Sequence, residues 1–330
     1  MIIRAAITAL ALFAVPATAQ SIDAVIEGHI LPSYARLAND TQALSDAATA
    51  SCLPGDPALT TAYHAAFDAW VKVSHLRFGP SEVNDRAFAL AFWPDSRGAT
   101  PKTLATLIRG ADPVIDTLES FQTVSIAARG FYALEFLLFD EGFADLGTAD
   151  YRCALIRVST ADIAANAAAI LTDWENGHGD LMREAGSNDT YRSAEEAQRQ
   201  LFTALTTGLE FTSAMRLGRP LGTFDRPRPK RAEARRSGRS LRHVILSLEA
   251  TRQLAALISE GDTTLDGLFE QALGRAAALD DPVFAGVSDI QGRLRVEALQ
   301  QSVDRIDTYA LQTVGPRLGI SAGFNALDGD

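Results

Sequence analysis

The stretch that decides the fold is Gly130-Phe-Tyr-Ala-Leu-Glu135-Phe-Leu-Leu-Phe139, an apolar run with one carboxylate near its centre. It closes a helix predicted over about residues 124–139. Apolar residues around most of a helix indicate that it is buried on most sides. A buried Glu is costly unless it is paired, hydrogen-bonded, protonated or bound to a metal. Tyr132 lies three residues before Glu135, on the same helical face. Glu135 and Tyr132 are therefore the first candidates for a functional site.

The rest of the chain is also predicted to be helical. Ala and Leu are abundant, whereas Val, Ile and Thr are not dominant. Long segments repeat apolar residues at helical spacing, and Gly-rich or Pro-rich breaks separate them. About four main helices fall on each side of residue 186. We therefore predict an all-α protein with two four-helix bundles, residues 20–186 and 187–330.

Residues 1–19 have the pattern of a secretory signal peptide. Arg4 precedes an apolar stretch, and Ala17-Thr18-Ala19 gives an Ala-x-Ala cleavage pattern. The alternative is a buried N-terminal helix of the mature fold. No later stretch reaches the ~18 uninterrupted apolar residues of a transmembrane helix. We expect cleavage after Ala19 and a periplasmic chain without a transmembrane segment.

The charge of the chain bears on its possible partners, and its cysteine content bears on a disulfide. The net charge is −11, and loss of Arg4 with the signal peptide changes it to −12. An acidic chain argues against nucleic acid as a partner. The two cysteines, Cys52 and Cys153, are predicted to form a disulfide in an oxidising compartment. The alternative is two unpaired buried thiols.

Two positively charged features of the sequence, Arg77 and the segment 226–242, can each be interpreted in two ways. Arg77 either interacts with the C-terminal end of its own helix or forms an ion pair with Glu135. The segment 226–242 carries eight basic residues and one acidic residue, Glu233. It is either a solvated loop with Ser237 or Ser240 as a helix cap, or a site at which arginines and a helix N-terminus bind an anion or Glu135.

The sequence resembles the imelysin family. The stretch 130–138 is similar to the family signature Gly-x-His-x-x-Glu followed by Phe-Leu-Leu, and 75–80, His-Leu-Arg-Phe-Gly-Pro, resembles the second helix of the family. Residues 236–242 resemble the first helix of its second half, and 318–330 its C-terminal end. The resemblance implies an exported protein of two four-helix bundles that is associated with iron uptake. The family is also catalogued among metallopeptidases.

One position departs from the family signature, because Tyr132 stands where the family has His. A phenol with a pKa near 10 is a poor zinc ligand at neutral pH, which weakens a zinc-peptidase assignment. Tyr132 and Glu135 can instead offer two oxygens to a hard cation such as Fe³⁺, or Tyr132 can donate a hydrogen bond to Glu135. Common hydrolase and nucleotide-binding signatures are missing.

These observations lead to three hypotheses. The first is a periplasmic, non-catalytic binding or accessory component of iron acquisition, which binds iron, another metal or haem and works with other uptake components or the outer-membrane transport machinery. Its predicted site comprises Glu135 and Tyr132, which are also the predicted metal ligands, supported by the side chains Arg77, Arg236, Ser237 and Ser240. The second is a metallopeptidase with an altered site. The third is a structural or interaction module.

Overall fold

The computed structural model of the chain describes residues 22–320. The predicted signal segment, its cleavage point after Ala19 and the last ten residues lie outside the described residues. Within 22–320 the protein consists of helices and turns, and the one β-type contact is an isolated bridge between Thr223 and Arg226. The prediction of an all-α fold is confirmed for these residues.

The first half of the described chain contains two long helices joined by a tight turn, a series of short helices and a third long helix. Asp56 caps the second helix by accepting hydrogen bonds from the amides of Ala58 and Leu59, with Pro57 at the first helical position. The bounds of these helices are α1 Leu31–Ala50, α2 Pro57–Val73, α3 Arg86–Leu90, α4 Ala99–Gly110, α5 Leu118–Phe121, α6 Gly130–Phe139, α7 Glu141–Ala144, α8 Ala149–Asp173 and α9 Gly179–Arg183.

The second half contains four long helices and two short ones. Ser193, Asp262 and Asp289 cap three of the long helices, each through a side-chain oxygen that accepts a hydrogen bond from a first-turn amide. The bounds are α10 Ala194–Glu210, α11 Gly218–Leu221, α12 Ser240–Ile258, α13 Thr263–Ala277, α14 Ile290–Tyr309 and α15 Gly315–Arg317.

In each half, helices pack both on their neighbours in the chain and on helices distant in sequence. Helix α1 packs on α2 and α8, and α6 packs on α8; in the second half α13 packs between α12 and α14, and α10 packs on both α12 and α14. Helix α2 also packs against α12 and so joins the two sets of helices. The division of the chain into two domains at residue 186 stays a prediction.

One helical segment, Ala149–Arg183, is long and apolar enough to cross a membrane by length and composition. Of the most apolar 18-residue stretch of this segment, 56% is buried inside the protein, as in the core helix of a soluble protein. The predicted disulfide is confirmed: Cys52 follows α1, Cys153 lies in the first turns of α8, and the bond closes a loop with a sequence separation of 101.

The apolar stretch around Glu135 forms helix α6, which begins at Gly130 rather than near residue 124. Arg129 is extended, with φ −113° and ψ 164°, and Gly130 has φ +76°. A Cβ atom at Gly130 would lie 2.2 Å from the backbone oxygen of Leu90. Only glycine allows this backbone conformation and this close approach. The ring of Phe131 then stacks on Phe67 with a centroid distance of 4.7 Å, which fixes α6 against α2.

Candidate functional site

Two side chains of α6 reach the same loop, residues 232–240, which precedes α12. Glu135 is buried and accepts two hydrogen bonds on one oxygen, from the backbone N–H of Ser237 at 2.9 Å and from its hydroxyl at 2.7 Å. Burial raises the pKa of Glu135, and the bonds from Ser237 offset this effect only in part. Ser237 therefore lies where the sequence placed it, at Glu135.

Tyr132 does not pair with Glu135, which corrects one of the predicted arrangements. Its hydroxyl donates a short hydrogen bond to Oε1 of Glu233. Burial first, and then the negative charge of Glu233, raise the pKa of Tyr132 well above 10. Tyr132 is thus a neutral hydrogen-bond donor at neutral pH, and the two candidate oxygens are directed at different groups of the loop.

Glu233 is the centre of a buried charge network that the sequence did not reveal. Arg216 donates from Nε to Oε2 of Glu233 at 2.8 Å, and both side chains are buried. Nδ1 of His243 lies 3.2 Å from the same oxygen, and because Nε2 of His243 accepts a hydrogen bond from Nε of Arg239, Nδ1 carries the proton that faces Glu233. Burial alone raises the pKa of Glu233, but Arg216 and then His243 and Tyr132 outweigh it and lower the pKa to about 2.

Arg216 is held in place by further hydrogen bonds. Its Nη1 donates to the hydroxyls of Thr212 at 3.2 Å and Ser247 at 3.1 Å, and its Nη2 donates to Ser74 at 3.3 Å. The guanidinium also lies 4.9 Å from the ring centroid of Phe211. The only sequence signal for this network was Glu233 itself, the one acidic residue in a basic segment; nothing marked Arg216.

The structure contradicts the predicted ion pair between Arg77 and Glu135. Arg77 donates to Glu82 at 2.7 and 3.2 Å and lies 4.6 Å above the ring of Phe88. The reason is that Glu135 is satisfied by the neutral dipoles of Ser237, so no guanidinium has to be desolvated to compensate it.

Arg236 and Ser240 also have partners other than Glu135. Arg236 forms an ion pair with Asp140, just after α6, and its guanidinium lies 3.7 Å from the ring centroid of Phe136. The hydroxyl of Ser240 donates to the backbone oxygen of Glu233. Ser240 therefore stabilises the backbone that carries Glu233, and Arg236 anchors the loop at the end of α6.

A cavity of about 340 Å³ opens beside the Tyr132–Glu233–Arg216 group. Its apolar walls are formed by Trp70, Trp93, Phe211 and Met215, and polar side chains of α10 line another wall: Gln200, Thr203, Thr207 and Glu210. Arg77 also lines this cavity, so two of the predicted site residues, Arg77 and Tyr132, share one space.

His75 adds a buried acceptor to the cavity lining. Nδ1 of His29 lies 3.1 Å from Oε1 of Gln253, and its Nε2 lies 2.9 Å from Nε2 of His75. Because an amide oxygen accepts only, His29 donates through Nδ1 and accepts from His75. Nδ1 of His75 is then unprotonated, and it has no hydrogen-bond partner in the part of the chain that the structure describes.

The donor set does not suit a resident metal ion as it stands. Residues 22–320 contain no group of three or more His, Cys, Asp or Glu side chains that could hold one. The carboxylate of Glu233 is neutralised by Arg216, whose charge repels a cation, and a neutral phenol is a poor ligand. The aromatic walls of the cavity can pack against a small molecule.

The comparisons with known proteins agree with this fold. An imelysin-like protein of Psychrobacter arcticum has a solved structure with a TM-score of 0.77 and 20% identity, covering 95% of this chain and 100% of that chain. A "putative iron-regulated protein A precursor" of Parabacteroides distasonis has a TM-score of 0.69 and 14% identity, covering 88% of this chain and 94% of that chain. No curated protein sequence matches the chain. The family model described as Imelysin matches residues 30–308, most of the sequence. The chain therefore belongs to the imelysin family.

Proposed function

We propose that this protein is a periplasmic, non-catalytic binding component of iron acquisition, and that the cavity beside Tyr132 holds its ligand. The observation that carries the proposal is the ion pair between Arg216 and Glu233. It occupies the buried carboxylate of the cavity lining, so Glu233 itself is neither a free general base nor a vacant metal ligand.

The size and lining of the cavity favour a small organic ligand. A volume of about 340 Å³ lies at the low end of the range of small-molecule sites, roughly 300–1,000 Å³. Aromatic walls with a few polar groups are typical of such sites. Iron would therefore enter as the cargo of a small complex rather than as a bare ion. The name of the Parabacteroides distasonis neighbour and the family resemblance support the link to iron.

The predicted signal peptide supports the periplasmic location. An exported binding protein of this kind would deliver its ligand to other iron-uptake components or to the outer-membrane transport machinery. The metallopeptidase alternative needs a carboxylate free to polarise water. Both buried carboxylates of the site accept internal hydrogen bonds, which leaves that role to Glu210, the exposed carboxylate of the lining. A purely structural or interaction module would leave the cavity without a ligand.

The test is calorimetric titration of the protein with ferric citrate, a ferric catecholate complex and haem. Thr207→Trp should fill the cavity and abolish saturable binding, whereas Thr206→Trp, one position along the same helix and not part of the lining, should retain it. No saturable binding of any iron form would refute the proposal. Hydrolysis of an unfolded protein that is abolished by a chelator and by Glu233→Gln would favour the metallopeptidase instead.

A further inference from the structure

A tight turn in the second half of the chain presents a phenylalanine to solvent. The backbone N–H of Arg226 donates to the oxygen of Thr223 at 3.1 Å, and these two residues form the isolated bridge. Gly222 precedes them with φ +57°, and a Cβ there would lie 2.5 Å from the oxygen of Arg226. Phe224 lies at the tip of this turn and is 71% exposed. The turn is therefore built to hold an apolar ring outside the core.

The start of α14 extends the same apolar surface. Arg293 donates from Nη1 to the backbone oxygens of Leu221 at 2.7 Å and Thr223 at 3.1 Å, and its guanidinium lies 5.6 Å from the ring of Phe224. Ile290 lies three residues before Arg293, on the same side of the helix, and is 64% exposed. Leu294 directly follows Arg293 in the chain and is 51% exposed. We call Phe224, Ile290 and Leu294 the apolar tip.

Four exposed basic side chains follow Phe224 in the chain, on the segment that packs against residues 285–288 just before α14. Arg226, Arg228, Lys230 and Arg231 are all exposed, and none of them takes part in an ion pair within residues 22–320. Asp225 is the only acidic residue between 222 and 231. This concentration of positive charge stands out in a chain whose net charge is −11, and it would attract an anionic partner to this side of the molecule.

We propose that the apolar tip docks on an anionic lipid surface. Exposed aromatic and aliphatic side chains enter the boundary between headgroups and acyl chains, while flanking Lys and Arg meet the lipid phosphates. The three apolar side chains project from a turn tip and a helix start, and long flexible cations lie beside them. A bilayer accepts such projections without matching their shape, whereas a folded acidic partner would have to. This surface is separate from the cavity, so the proposal does not depend on the ligand.

The experiment is co-sedimentation of the chain from Gln20 onward with vesicles of phosphatidylcholine alone and of equal parts phosphatidylcholine and phosphatidylglycerol. This chain retains every described residue and lacks the apolar signal segment, which would itself enter bilayers. Binding should occur with the anionic vesicles, and raising the ionic strength from 0.1 to 0.5 M should weaken it. Phe224→Ser should weaken partitioning at least about tenfold, and Arg228→Glu should weaken it by a similar factor.

Two control variants distinguish the proposed surface from general stickiness. Leu53→Ser removes an equally exposed apolar side chain at the turn after α1, and Arg97→Glu reverses an exposed charge before α4; both should bind as the parent chain does. Equal binding to neutral and anionic vesicles, or an unchanged Phe224→Ser variant, would overturn the proposal. So would retention on an immobilised acidic protein together with no binding to vesicles.

Discussion

Replacing Glu233 by Gln removes the negative charge at the centre of the buried network while it keeps the shape of the side chain. The pKa of Glu233 falls from 4.5 to about 2 on folding, a difference that corresponds to about 3 kcal/mol of stability at neutral pH. The variant also leaves Arg216 buried without its counter-charge, and breaking a buried pair on one side typically costs about 3–5 kcal/mol. We therefore expect Glu233→Gln to lower the free energy of unfolding by about 3–5 kcal/mol at pH 7.

The stability that Glu233 contributes should also change with pH in a defined direction. A carboxylate whose pKa is lowered in the folded state contributes its stability above its unfolded pKa and loses it as the pH falls. For Glu233 the contribution is complete above about pH 4.5 and declines between pH 4.5 and 2. The difference in unfolding free energy between the parent chain and Glu233→Gln, measured by urea denaturation followed by circular dichroism, should therefore shrink in that window.

An exposed pair and a double variant provide the controls. Asp40→Asn removes the partner of the solvent-exposed Arg36 and should cost less than about 1 kcal/mol. Combining Glu233→Gln with Arg216→Met should cost clearly less than the sum of the two single changes, because neither charge is then left buried alone. The reasoning is wrong if Glu233→Gln costs under 1 kcal/mol at pH 7, or if the two single costs simply add.

Three further predictions concern other parts of the fold. Replacing Cys52 and Cys153 together by Ser should lower the unfolding free energy by about 4–5 kcal/mol, because the loop spans 101 residues; a loss below 1 kcal/mol would contradict this. Burial lowers the pKa of His29 to about 4, so its contribution is complete above pH 6.5 and is lost as the pH falls to 4; His29→Asn should flatten the stability profile in that window, and an unchanged slope would count against it. Gly130→Ala should cost at least about 3 kcal/mol, whereas Gly110→Ala, with open space at its Cβ, should cost under about 1; equal effects in urea titrations would refute the strain argument.

Helix content and the importance of α6 were predictable because they depend on local information. The spacing of apolar residues marks a helix whatever it packs against, and a lone Glu among Leu and Phe marks a buried polar group. Even the shared face of Tyr132 and Glu135 followed from helical geometry. The predicted start of α6 near residue 124 was wrong because the spacing of apolar residues carries no information on the close approach of Gly130 to the backbone of Leu90.

The sequence placed Ser237 near Glu135 as one alternative, but the other partners in the site were not predictable, for a different physical reason. Tyr132 and Glu233 are 101 positions apart, and Glu135 and Ser237 are 102 apart, so tertiary packing alone brings them together. A shared helical face implied a shared neighbourhood, which is the loop 232–240, but not a shared partner. Arg77 and Arg236 show the related difficulty that long side chains reach several carboxylates. In the structure each of them pairs with a carboxylate at a position where the guanidinium stays partly exposed to water.

The signature stretch thus acts first as a connector. Gly130 lets α6 approach α3, and Tyr132 and Glu135 each fasten one residue of the loop that carries Glu233. It follows that Arg216, rather than the residue at position 132, determines whether the carboxylate of Glu233 is free to accept a cation. Any donor at 132 would still face a carboxylate whose charge is neutralised at 2.8 Å. Removing that guanidinium would free the carboxylate of Glu233 beside the cavity and add its oxygens to those that Glu210 already presents in the lining.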